Sequence, residues 1–210
     1  MTTAVKERPI LFSGPMVRAI MDGRKTQTRR IVKPQPPCAC VYEINGNQNK
    51  AICLAGPGAD VPARPWFVPP YVNKAQYWVC CPYGTVGDRL WIRETWRPIV
   101  SGTREGGFDY RANDPSASGV GFTKWTPSIH MPRLASRITL EITSVRVERL
   151  NDISAEDAKA EGIMFGTGKP GQCRTCAKGA FMDLWNSING VDSWLQNPWV
   201  WVVEFKRVKP

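Results

Sequence analysis

Residues 137–149 read RITLEITSVRVER, and residues 198–208 read PWVWVVEFKRV. In the first stretch Ile138, Leu140 and Ile142 alternate with polar neighbours, the period of a strand with one buried face. Val145 and Val147 continue the alternation one position out of phase, which predicts a bulge or bend near Thr143-Ser144. In the second stretch Trp199, Trp201, Val203 and Phe205 share one face. A third run, RLWIRETW at 89–96, follows a Gly87-Asp88 turn signal and sets Leu90, Ile92 and Glu94 against Trp91, Arg93 and Thr95. These three strands are expected in one curved sheet. Arg8 to Phe12 reads as a further short strand.

The helices are few and short. Ser13-Gly14-Pro15 is a helix start with proline in the first turn, and Val17, Ile20 and Met21 make an apolar stripe closed by Gly23. Ser154 opens a second helix, with Asp157 completing a weak capping box and Gly162 at its end. A third is expected at 180–188, before the Asn189-Gly190 turn. Residues 33–84 hold nine prolines and no sustained period, and 97–136 is mostly loop with a short strand at 108–111. The composite reading is α+β: a single domain over 1–210, built as a small β-barrel with flanking short helices and loop insertions at about 33–83 and 97–136.

The chain has 210 residues and a formal net charge of +10, with arginines clustered, which favours a polyanionic partner, nucleic acid first. No apolar run reaches the length of a membrane span, so no membrane association is expected. The N-terminal stretch lacks an apolar segment followed by a small-residue cleavage site, so a cytoplasmic location with reduced cysteines is expected. Seven cysteines are an odd count for a disulfide framework. Cys38 and Cys40, with the C-x-x-C pair Cys173 and Cys176, could complete a tetrahedral structural zinc site in segments that a metal would staple; buried thiols are the other reading. No other cofactor is signalled. The single histidine, His130, lies in a Pro- and Ser-rich loop, which argues against a Ser/His/Asp site. The sequence leaves the oligomeric state open.

The segment MDGRKTQTRR at 21–30 sets Lys25 and Thr28 just past a helix end, where a turn can aim them at a ligand; a basic, solvated turn is the alternative. Basic and aromatic residues interleave near it. Arg24, Arg29, Arg30 and Arg93 are candidate phosphate contacts, and Trp96 is a candidate stacking surface.

The order of these segments resembles a known family. A strand and helix, then GRKTQTRR, then GDRLWIRE, then a long strand into DISAEDAKAEGI, then WVVEFKRV, is similar to the ASCH domain of the PUA-like superfamily. Phage- and prophage-encoded members are the nearest in pattern. The resemblance covers 8–32, 84–96 and 137–208. It implies a PUA-like barrel that binds RNA or a modified nucleoside. One small enzyme of the family hydrolyses N4-acetylcytidine, and the positions of its catalytic lysine, threonine and glutamate match Lys25, Thr28 and Glu161. The implied chemistry is amide hydrolysis, with Thr28 as nucleophile, Lys25 as base and Glu161 orienting the lysine or moving a proton. Lys25 needs a lowered pKa for that role, from burial and from Arg24, Arg29 and Arg30. A nucleobase reader without turnover and a ribonuclease are the alternatives.

Overall fold

A computed structural model describes residues 5–33, 35, 42–43, 50–51, 66–67, 79–99, 107–113, 124–163 and 176–208. Its core is one five-stranded sheet in a mixed α+β arrangement. β1 (Glu7–Leu11), β7 (Arg89–Arg93), β10 (Thr139–Arg149), β11 (Trp199–Val208) and β2 (Gln27–Ile31) lie side by side in that order. β1 and β7 run parallel; the other three pairings are antiparallel. The short pairs β3 (Tyr42–Glu43) with β4 (Lys50–Ala51), and β5 (Trp66–Phe67) with β6 (Val79–Cys80), form separate two-stranded ladders. So does β8 (Trp96–Pro98) with β9 (Phe108–Tyr110).

The periodicities of the sequence explain the sheet. The three main strands share it, and the register between β10 and β11 slips between Ile142 and Ser144, at the expected bulge. The slip lets Leu140, Ile142, Val145 and Val147 all reach the core. β11 is buried on both faces, since Val200 and Val202 are as enclosed as Trp201 and Val203. The Trp201 face meets α1 (Gly14–Met21) through Val17 and Ile20. The Val202 face meets α2 (Ala155–Ala160) and α3 (Ala177–Asn189) through Ala158, Phe181 and Trp185.

No ladder joins β1 to β2 among the described residues. The sheet curls far enough that Arg30 Nη2 on one edge donates to the Leu11 carbonyl near the other, at 2.6 Å. The 89–96 run is broken in two: β7 ends at Arg93, and Trp96 begins a ladder that also takes in Thr126. Glu94 sits at the break, buried, gripped by both ends of Arg137 at 2.9 and 3.0 Å. α3 starts three residues early because the Cys176 thiol caps it, accepting from Gly179 N at 3.3 Å. Met21 is largely exposed, and Ala19 takes its place on the buried stripe. No described helix is long and apolar enough to cross a membrane.

Candidate functional site

The site grows from the elbow between α1 and β2. Gly23 takes a left-handed φ of 74°, which ends the helix and turns the chain back beneath it. Arg24 N and Lys25 N then both donate to the Ala19 carbonyl, at 2.8 and 3.0 Å. Lys25 makes an isolated antiparallel bridge to Glu161, and Thr26 N donates to Ala160 O at 2.8 Å. The other half of the bridge is set by α2. Ser154 caps it, its hydroxyl accepting from Asp157 N at 3.0 Å, and Glu161 closes it. Gly162 follows with φ of 81°, and a Cβ built there would lie 2.6 Å from Lys25 Cβ and 2.8 Å from Ala19 Cβ. Only glycine lets the two segments approach this closely.

Lys25 is 2% exposed and Glu161 5%. The Lys25 ammonium has three protons and three acceptors: Glu161 Oε2 at 2.6 Å, Gln27 O at 2.8 Å and Glu161 O at 3.0 Å. Burial pushes its pKa below 10.5; the Glu161 carboxylate opposes the shift, and Arg30 and Arg29 reinforce it. The like-charge neighbours thus act as expected, except that Arg24 is exposed and turned to Asp22 at 2.7 Å.

β2 carries the rest. Its register opposite β11 pairs Thr28 with Val203 and Arg30 with Trp201, so those two side chains share the α1 face. Arg29 pairs with Val202 and faces α2 and α3. Its side chain, fully buried, is held by Glu148, by Asp157 at 3.1 Å and by Glu161 Oε1 at 3.4 Å. One carboxylate therefore joins Lys25 and Arg29 through its two oxygens. Arg29 is spent on these partners, which counts against a phosphate-binding role. Arg146 extends the cluster to Glu148, Asp157 and Glu204.

The network has an acid limit. Burial alone would raise the Asp157 carboxyl, but Arg29, Arg146 and the Gln27 amide hold it below 3.8. A carboxyl depressed in the folded state stabilises above its unfolded value and loses that contribution as pH falls through the folded one. The urea midpoint is therefore expected to drop as pH descends past 3.8, and to drop less steeply in Asp157→Asn. Equal slopes in the two proteins would show that Asp157 is not part of the acid response.

A cavity of about 410 Å³ opens at the free edge of β2. Thr28, Arg29, Arg30 and Glu161 line it, with Tyr83 on one side and Phe181 and Trp185 of α3 on the other. Lys25 stands directly behind Glu161. No hydrogen bond joins Lys25 to Thr28 among the described residues. Arg93 and Trp96 are not among the residues lining this cavity: Arg93 bonds Met131 O at 3.0 Å beside the Trp91 ring, and Trp96 stacks edge-on against Phe108. Of the four candidate zinc ligands, Cys38, Cys40 and Cys173 lie outside the described residues, and Cys176 caps α3. His130 is exposed on a short turn.

Sequence reading missed the α3 wall. Phe181 and Trp185 fall at i and i+4 and read as an ordinary core stripe. Two buried N–H groups of cavity residues, Arg30 Nε and Trp185 Nε1, have no acceptor among the described residues. No protein-family model, curated protein or solved structure matches this chain.

Proposed function

We propose that the β2 cavity binds a nucleobase, as RNA or a modified nucleoside, and hydrolyses an N4-acylcytidine-type amide. The observation that carries this reading is that Thr28 and Glu161, far apart in sequence, line one cavity, with Lys25 held against Glu161 behind it. The resemblance to ASCH domains supplies the substrate class, and with it the PUA-like description of the curled sheet.

The chemistry follows from the electrostatics. In this reading the resting ion pair becomes an amine and an acid as the reaction begins, a Lys25 proton passing to Glu161 Oε2 across their 2.6 Å contact. The freed amine takes the Thr28 hydroxyl proton as Thr28 Oγ attacks the acyl carbonyl carbon. The oxyanion that forms accepts from the unpartnered Arg30 Nε–H. Glu161 returns its proton to the leaving N4 amine as the C–N bond breaks. Lys25 then passes a proton to the emptied Glu161 carboxylate, takes one from water as that water attacks the acyl-threonine carbonyl, and gives it to Thr28 Oγ as the ester C–O bond breaks; the acid leaves, and Glu161 returns its proton to Lys25.

The test is incubation with N4-acetylcytidine, followed by chromatography. Wild type is expected to release cytidine, while Thr28→Val, close in shape but without the hydroxyl, releases none above the uncatalysed background and still binds. Turnover by Thr28→Val would remove threonine as nucleophile. A reader without turnover is the second reading, favoured because every Lys25 proton already has an acceptor. It predicts binding of acetylated cytidine with no product from either protein.

The net charge of +10 bears on longer ligands. Affinity for single-stranded RNA is expected to fall with salt at a slope of about −0.7 per phosphate contacted. Arg24→Ala should flatten that slope by about one contact's worth, since Arg24 is exposed at the elbow between α1 and β2. Binding that ignores salt would assign the charge to something other than nucleic acid.

A further inference from the structure

We infer that Trp185 of α3 is a specificity residue whose indole N–H takes a carbonyl oxygen on the ring of the bound base. This rests on the reading that the cavity holds a nucleobase.

Trp185 is 5% exposed and lines the cavity, yet its Nε1–H has no acceptor among the described residues. A buried donor left unpaired carries a standing cost, and a ligand that supplies the acceptor removes it. An indole nitrogen donates and cannot accept, so the group it selects is an acceptor. The surroundings set the charge of that group. Phe181, Leu184 and Ile188 make this wall apolar; of the cations that line the cavity, Arg29 is already held by three carboxylates, Arg30 lies on the α1 face and Lys33 is exposed. A neutral carbonyl suits such a wall, where a charged group would lose its hydration against apolar side chains.

The topology fixes which carbonyl. β2 is an edge strand whose hydrogen-bonded pairs with β11 include Thr26 with Phe205 and Val32 with Trp199. By alternation, Thr28 and Arg30 also bond β11, and the backbone N–H and C=O of Arg29 and Ile31 point away from it, toward the cavity side. A planar ring can lie along that edge. The reacting amide must sit by Thr28, on the α1 face, so the oxygen that reaches α3 on the opposite face belongs to the ring.

Cytosine and 4-aminopyrimidine differ in the ring carbonyl, and neither has an amide to cleave. Calorimetric titration of the full chain is expected to show wild type preferring cytosine by about tenfold. Trp185→Phe should erase the preference by weakening cytosine alone. In the unaltered protein, one indole N–H resonance should shift downfield with cytosine and not with 4-aminopyrimidine, a readout that does not depend on the variant folding. A wild type that binds both bases equally, a preference that survives in Trp185→Phe, or no selective indole shift overturns the assignment and leaves the cavity reading intact. A wild type that binds neither cytosine nor N4-acetylcytidine overturns the cavity reading itself, and this inference with it.

Discussion

Glu161→Ala is expected to destabilise the protein by about 3–5 kcal/mol, the usual loss when one partner of a buried ion pair is removed. The magnitude follows from how the carboxylate is used. Glu161 Oε2 neutralises Lys25 and Oε1 faces Arg29, and all three side chains are nearly sealed from water. Arg29 keeps Glu148 and Asp157, so most of the loss falls on Lys25, which keeps only backbone carbonyls. The same logic makes Lys25→Ala a poor probe of catalysis. From sequence, a residue just past a helix cap is expected to contribute little packing. Here it is buried, and truncating it leaves Glu161 facing a void. Replacing both partners, as Lys25→Met with Glu161→Leu, is expected to recover most of the stability lost in Glu161→Ala, because an apolar pair needs no counter-charge. Denaturant midpoints measure all of these. A Glu161→Ala loss within about 0.5 kcal/mol, the scatter of an ordinary surface change, would mean the pair is not sealed as described.

Gly162→Ala is the second large effect, expected at about 2–5 kcal/mol from two additive sources. A side chain at φ of 81° costs about 1–2 kcal/mol, and forcing a methyl into a filled space costs about 1–3. The colliding atoms are Lys25 Cβ and Ala19 Cβ, both close to the backbone and unable to swing aside. Gly23→Ala is the control. Its φ of 74° is similar, but nothing lies within 4 Å of the added carbon, so only the conformational cost of about 1–2 kcal/mol remains. Equal losses at the two glycines would show that the elbow and the end of α2 are not in contact.

Local signals made much of the fold legible. The caps at Ser13, Ser154 and Gly23 depend on neighbours a few residues away, and the bulge in β10 shows as a phase shift in its own apolar pattern. The β8–β9–Thr126 pairing was not legible in full, because short strands carry too few alternations to mark a period. Arg29 shows the limit most clearly. In a run of basic residues it reads as solvated, and its burial depends on the register with β11, which one residue of slip would reverse. Glu161 entered only through family resemblance, since a glutamate at a helix end is usually a surface residue. Trp185 patterned as core and is core; that its N–H lacks an acceptor is a property of the assembled cavity.

The order in which the strands sit has a kinetic consequence. Residues 27–31 find their ladder partner only at residues 200–204, and Lys25 finds its bridge only at Glu161. The earliest strand of the cavity is therefore among the last to be secured. During refolding β10 and β11 can zip together across the shorter loop that carries α2 and α3, while β2 must wait for a closure that spans most of the chain. Stopped-flow refolding should show Trp201 fluorescence maturing before ligand binding capacity returns. The lag between them would time the docking of the elbow onto a sheet that has already formed.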